Sequence, residues 1–499
     1  MRVLSIILCF YIFNSSYSQS KTKKINFSSK QSKGITKKDK SLLILWNQVV
    51  FKHNKSVMHC DSATYDRGNN SFIAYSNIKI IENDSMKLYG DSLHYFGNEE
   101  KAYLYGNVKL ITHQILLSAN SLIYDQNNNN AYYNDGGFIK HHGKNYTINS
   151  EVGRFNSLNK ILFFKKNVRL EHIDYQILSD TLVYHTETEK TNIIGDTEIK
   201  SKNSTISCNK GWFDNNNQTS SLKGNIVIDS KNYQFYADSV FYHEQKGEAF
   251  AKGKVKIIDD SSQTVIIGQY GYHNEYKDSV RIWDHAIMTQ FDSIDTIHVY
   301  ADQFIHVHDS TTKKTFCFRN VVIKGTQIDG DCDSIYMNEH DSIMKCIQNP
   351  IIWIDSNQIT GEEIVFKTFK GVVFSMDIEN NGMIITKKDS NHYDQIKGQE
   401  LNGYFKQNKL KKLQIRESGE VIYFSDDEVK KNIKEYNKVN CEMMNIFVDE
   451  NKIRQISFLS NPKGITVPLD QVKESLFLEG FMLHEKKTYD EKIQSLNGD

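Results

Sequence analysis

The residues of this chain that could do chemistry are few, and most of them are repeated. Asp-Ser pairs recur at Asp61-Ser62, Asp91-Ser92 and Asp238-Ser239. Carboxylates stacked on neighbouring strands could imitate the acid and base of a glycosidase or a lyase. No unique, non-repeating cluster stands apart from them, however. His306 and His308 share a strand face if that segment is extended, which could seat a metal. Coincidence among 17 His residues is the better account. Cys60, Cys208, Cys317, Cys332, Cys346 and Cys441 include no CxxC pair, which weakens zinc and thioredoxin-like readings. There is no phosphate loop, no GxSxG elbow and no HExxH. The expectation is a binding protein, not an enzyme, with no cofactor and no metal.

The elements that position these residues are strands. The chain has 499 residues, with 27 Tyr, 27 Phe and only three Pro, at Pro350, Pro462 and Pro468. Aromatic residues suit strands, and Pro removes a ladder donor, so a chain without Pro over its first 349 residues suits long paired strands. Lys+Arg and Asp+Glu are equal at 61 each, which argues against a nucleic-acid partner.

Arg2, the apolar run Val3 to Phe13 and the small polar stretch Asn14 to Ser20 follow the order of a secretory signal peptide. Residues 1–18 are assigned to it, with cleavage after Ser18. No later segment has 18 consecutive apolar residues, so a water-soluble exported protein is expected, periplasmic, with association to the outer membrane left open. Residues 19–40 hold eight Lys and one acid, Asp39, and read as a basic flexible linker.

Beyond the linker the chain repeats about every thirty residues. Each repeat starts at an acidic or amide anchor. Clear copies are Asp61-Ser62-Ala63-Thr64-Tyr65, Asp91-Ser92-Leu93-His94-Tyr95, Asn120-Ser121-Leu122-Ile123-Tyr124, Asp180-Thr181-Leu182-Val183-Tyr184 and Asp238-Ser239-Val240-Phe241-Tyr242. Weaker copies start at Glu151, Asn209, Gln269, Asp302, Asp333, Glu362, Gln399 and Glu442, making thirteen. Fifteen residues after the anchor a second strand starts, as at Ser76-Asn77-Ile78, Gly106-Asn107-Val108, Lys166-Asn167-Val168, Gly224-Asn225-Ile226 and Gly253-Lys254-Val255. Polar turn clusters such as Asp66 to Asn70 and Asp125 to Asn130 separate the two. Roughly two dozen strands are expected.

Strand side chains alternate between faces. The column two residues after the anchor holds Leu93, Leu122, Leu182 and Val240; every copy is apolar or Gly. The column four residues after it is aromatic in its first seven copies, among them Tyr95, Tyr124, Tyr184, Phe213 and Tyr242. Positions between them, such as Ser92 and Ser239, are mixed. Burial of such a face stabilises by about 25 cal/mol per Å², so two sheets must face each other, or one must fold over on itself. The interior could be filled or open along one side. The anchors read as bend residues that hydrogen-bond nearby backbone.

The run Cys60-Asp61-Ser62-Ala63-Thr64-Tyr65, followed by repeated Gly-Asn-Val/Ile strands, resembles the OstA-like family of lipopolysaccharide-transport proteins. The segment Asn461-Pro462-Lys463-Gly464 through Val467-Pro468-Leu469-Asp470 is similar to the end of its larger members. The resemblance covers about Leu42 to Leu478 and is strongest to Ile258. It implies an open β-jellyroll whose apolar groove carries lipopolysaccharide acyl chains. The groove lining expected here is Leu93, Tyr95, Val108, Leu122, Tyr124, Val168, Leu182, Tyr184, Phe213, Ile226, Val240, Tyr242 and Val255. The implied partners are lipopolysaccharide, other jellyroll transport components joined by edge-strand pairing, and an outer-membrane translocon.

The expected architecture is all-β: an elongated jellyroll of about thirteen repeats, regular over 41–258 and less regular over 259–424. A strand and helix cap and a tail occupy 425–499. Ser425 to Val439 reads as a short helix or a linker, and Leu469 to Leu483 as a capping helix. Cys317 and Cys346 fall at similar places in neighbouring repeats and form the candidate disulfide; free, buried thiols remain the alternative. Two other functions stay open, a structural or adhesive solenoid with a filled core and a carbohydrate-active solenoid enzyme.

Overall fold

The computed structural model describes residues 24–37, 40–82, 85–143, 145–231, 233–291, 296–308, 312–326, 328–369, 372–406, 409–426, 433–449, 452–488 and 490–491. The signal segment 1–18 lies outside them. The described chain is an antiparallel β-jellyroll with 34 strands. Two compact units divide it between Glu187 and Thr188, rather than at the change in repeat regularity near residue 258.

Within each unit the same local event builds the fold. Strand Ser71–Glu82 runs antiparallel to Ser56–Asp66 and Met86–Phe96. Halfway along it, Ser76 and Asn77 adopt left-handed φ values of 61° and 53°, and the register shifts between Tyr75 and Ile78. Gly106 and Asn107 (73° and 44°) repeat this bulge, as do Gly224 and Asn225 (82° and 47°). Asn and Gly tolerate that region best, which is why they recur fifteen residues after the anchor. A bulge bends its strand and sharpens the local twist. Repeated in strand after strand, it folds the sheet over on itself along a spine.

The anchor acids stand at this spine. Asn77 Nδ2 donates to Asp61 at 2.7 Å, Asn107 Nδ2 to Asp91 at 2.8 Å and Asn381 Nδ2 to Glu362 at 3.0 Å. The anchors stand at the bend, but the partner of these side chains is the bulge asparagine of the next strand, where local backbone was expected.

The residue before each anchor points into the apex of the fold. In order these are Cys60, Gly90, Ala119, Ser150, Ser179, Cys208, Ala237, Gly268, Ala301, Cys332, Gly361, Gly398 and Cys441, all small. At Gly398 an added Cβ would stand 2.5 Å from Ile415 Cγ2. Those with a hydroxyl or thiol can donate to the carbonyl two residues on, as Ser179 Oγ does to Thr181 at 3.2 Å and Cys441 Sγ to Met443 at 2.9 Å.

Several expectations are corrected. Lys-rich residues within 24–37 are strands, not a flexible linker: Gln31–Lys37 pairs with Lys40–His53, and Asn26–Ser28 pairs with its far half. Phe27 supplies the reason, packing its ring 5.6 Å from Tyr65 and 6.4 Å from Phe51. More strands form than expected because some break fully at the spine, as Asn130–Tyr133 and Gly137–His141 do. The helical cap is absent: the described part of 425–439 belongs to the paired strands Lys409–Asp426 and Ile433–Asp449.

Residues 469–483 form a short 3-10 turn, Leu469–Gln471, and then an irregular strap across the outer face of the late strands. Leu478 packs on Met383, Ile385, Ile422, Phe424 and Tyr436. Two buried glutamines hold the strap by both ends of their amides. Gln395 donates to Leu476 O at 2.9 Å and accepts from Leu478 N at 2.8 Å. Gln358 donates to Met482 O at 2.8 Å and accepts from His484 N at 2.8 Å. Each side chain imitates a strand's paired N–H and C=O.

Candidate functional site

Two inward rows, one on each half of the folded sheet, meet at the lips opposite the spine. In the first unit one row runs across the ladder as Leu43, Tyr65, Phe72, Tyr95, Ala102, Tyr124, Ala131, Phe155, Leu162 and Tyr184. The facing row includes Phe51, Met58, Ile80, Leu88, Leu110 and Leu117. Large rings fill the space between the sheets, with Phe51 and Phe72 stacked at a centroid distance of 3.7 Å.

Polar side chains close the same lips. Tyr95 OH donates to Gln126 Oε1 at 2.9 Å, so its 2.6 Å contact with His53 Nδ1 has the imidazole as donor. Gln126 Nε2 donates to Ser56 Oγ at 2.5 Å, and Ser56 donates to Glu82. His53 and Ser56 stand on one lip, Tyr95 and Gln126 on the other. Burial, with nearby Glu100, pushes the Tyr95 hydroxyl far above the usual phenol range. Tyr95→Phe should leave the His53 and Gln126 groups short of a partner, at about 1–3 kcal/mol. Amide hydrogen exchange should then quicken at residues 53–58 and 124–128 before elsewhere; unchanged protection there would contradict a closing role.

The expected lining residues therefore divide. Leu93, Tyr95, Val108, Leu122, Tyr124, Val168, Leu182 and Tyr184 all face inward and are buried, none above 4 % exposed. They come together as a filled core with no open slot at their positions.

The second unit differs between about residues 204 and 273. Its first lip row runs Phe213, Ser220, Tyr242, Ala249 and His273. Ser220 and Ala249 alternate with Phe213, Tyr242 and His273 as Ala102 and Ala131 alternate with rings in the first unit. The facing row, Ile206, Ile228, Phe235, Ile257 and Ile266, stays only half-buried. Of the expected lining residues here, Phe213, Val240 and Tyr242 are half-buried, while Ile226 and Val255 lie deeper and are buried. The result is an apolar trough with a wet lip, five strands wide, or roughly 19 Å at about 4.8 Å per spacing. Tyr242 OH donates to Glu275 at 3.1 Å, and burial together with that carboxylate pushes its pKa up to about 12. It is a neutral hydroxyl at the rim. Beyond residue 280 the interior fills again with Ile282, Met288, Val299, Phe304 and Ile323.

His306 and His308 share one face of strand Thr296–His308, as expected, but take different partners: His306 Nδ1 faces Thr315 Oγ1 at 3.0 Å, while His308 Nδ1 faces Asp278 at 2.7 Å. Among the described residues no group of three or more His, Cys, Asp or Glu could hold a metal. Cys317 and Cys346 both pair with Ile335, one from each side. A strand lies between them, so they stand about two spacings or 9.6 Å apart, beyond the ~7 Å that a disulfide spans. Both are free. The small apex column escaped the sequence reading, although its signal, thirteen small residues one place before the anchors, is plain in the chain.

A family model for OstA-like proteins matches residues 22–180. A second, for the LptA/LptD N-terminal-domain lipopolysaccharide-transport proteins, matches residues 205–372 and so includes the trough. No curated protein matches the chain.

Proposed function

The chain belongs to the OstA-like family of lipopolysaccharide-transport proteins, and from that premise we propose that its trough at residues 204–273 shields the acyl chains of lipopolysaccharide. Members of such families are transport components, periplasmic or associated with the outer membrane, and we place this chain's work there. The observation that carries the reading is the half-buried isoleucine row Ile206, Ile228, Ile257 and Ile266. Each buried CH₂ is worth about 0.8 kcal/mol, so an open apolar row gains by taking up hydrocarbon. It offers no specific polar clamp, which suits a cargo that must also leave. Sugars and phosphates would stay in water beyond the lip.

The strand edges support a second part of the proposal. Among the described residues Lys463–Pro468 pairs only with Ile433–Asp449, and Gln31–Lys37 only with Lys40–His53. Each leaves one side of its backbone unpaired, a template for a strand of another jellyroll component or of an outer-membrane translocon.

Photocrosslinking tests the trough. A photoreactive residue at Ile228, Phe235 or Ile257 should give a light-dependent adduct with lipopolysaccharide. The outward Ser239 and the sealed Leu93 and Tyr124 should give none. Equal adducts from Ser239, or none from the isoleucine row, would overturn it. The filled interior of the first unit favours a second reading for that unit alone, a structural scaffold; adducts at Leu93 would refute it.

A further inference from the structure

On the premise that the trough holds acyl chains, we propose that Ala251 is the residue that admits them: its small side chain leaves a notch in the inner wall for the end of a hydrocarbon chain. The notch lies one row below the lip, on the same half of the folded sheet. In the first unit the ladder sets Leu93, Leu104 and Leu122 side by side in this row, none above 1 % exposed. The same register in the second unit sets Val240, Ala251 and Gly271 side by side. Three leucines are thereby reduced to valine, alanine and glycine on three neighbouring strands. Leu222 pairs with Val240 on one flank and Ile282 with Gly271 on the other, so the notch is bounded. It spans two strand spacings, or about 9.6 Å.

The position itself recurs thirteen residues after the anchor. Leu104, Tyr133, Phe164, Ile193, Leu222 and Ile282 are all large there, and among the first eight copies only Ala74 and Ala251 are small. Ala74 is sealed, at 0 % exposure, whereas Ala251 keeps 8 % and Val240 beside it is half-buried. In the first unit a missing side chain is made good by a ring: a Cβ on Gly153 would stand 2.2 Å from Tyr133. At Gly271 the nearest atoms to such a Cβ are methyl carbons of Val255 and Ala251, at 3.2 Å and 3.4 Å. Across the trough, Phe235 and Ile257 stay half-buried against the same apolar cluster. These walls carry hydrocarbon alone. A void lined in this way stays dry and gains dispersion contacts when carbon fills it. Its occupant is therefore the terminal part of a chain, and not the ester or amide that links the chain to sugar.

Ala251→Leu tests this in the full chain, with a photoreactive residue at Ile257 and purified lipopolysaccharide as the probe. Leucine would refill the notch with the protein's own carbon. The light-dependent adduct should fall at least tenfold, while the thermal midpoint should hold or rise, as it does when a void is filled without strain. Ala251→Val should lose less of the adduct and likewise keep its midpoint. Ala74→Leu, at the sealed counterpart, should lower the midpoint through overpacking. An undiminished adduct from folded Ala251→Leu protein, or a midpoint lowered by that change, would overturn the proposal and leave the trough reading standing. No adduct from the chain with Ala251 in place would fell the trough reading, and this assignment with it.

Discussion

Leu122→Asp and Val240→Asp should behave oppositely, although both place a carboxylate in the same inward column. Leu122 is fully buried between the halves of the first unit and pairs with Leu104. An unpaired buried charge there costs about 3–5 kcal/mol, and losing the leucine packing adds about 2–5 kcal/mol. That sum rivals the ~5–15 kcal/mol stability of a domain. Circular dichroism at 25 °C should show the cooperative transition of this unit lost. Val240 lies at the trough, half-buried, where a carboxylate can reach water. Its replacement should cost about 1 kcal/mol, yet cut the lipopolysaccharide adduct from Phe235 at least tenfold. Matching effects on folding from the two changes would mean that the trough is as tightly filled as the first unit.

The second large effect is expected at the apex. Gly398→Val should severely destabilise the late strands. A Cβ there would stand 2.5 Å from Ile415 Cγ2 and 3.3 Å from Leu401 Cδ1. Neither neighbour has space to retreat, because Ile415 and Leu401 are fully buried. Overpacking of this kind costs about 1–3 kcal/mol, and more where the backbone is pinned. Urea titration should move the midpoint of the second unit sharply downward. Glu400→Val, two residues away and exposed, should not. If Gly398→Val were tolerated, the small column would be a compositional accident and not a steric requirement.

Much of this architecture was legible in the chain. The recurring anchors gave the bends, since an acid at the spine and an asparagine one strand later satisfy each other. The alternation of Leu93 with His94 and of Tyr124 with Ile123 gave the inward face. Whether that face is open was not legible, because it depends on how closely the lips approach. Tyr95 looks the same in sequence whether it lines a trough or closes one; its contacts with His53 and Gln126 come from 42 and 31 residues away. The half-burial of Ile206, Ile228, Ile257 and Ile266 has no counterpart in their residue types, which match those of the sealed row, and depends on the distance between the two halves. The N-terminal strands were missed because lysine density outweighed Ile25 and Phe27. The strap was misread as a helix because its order comes from glutamine side chains and not from a periodic face.

That strap changes how the late strands should respond to force. In a simple strand array, pulling on the C-terminus would peel off one strand at a time. Here the bond from His484 N to Gln358 Oε1 spans 126 residues of chain, and Lys486 reaches Asp329 at 3.0 Å. A load applied beyond the strap meets these clamps in shear before any terminal strand is pulled. The last third of the protein is thereby laced into one mechanical block, whose rupture should appear as a single large extension instead of a staircase.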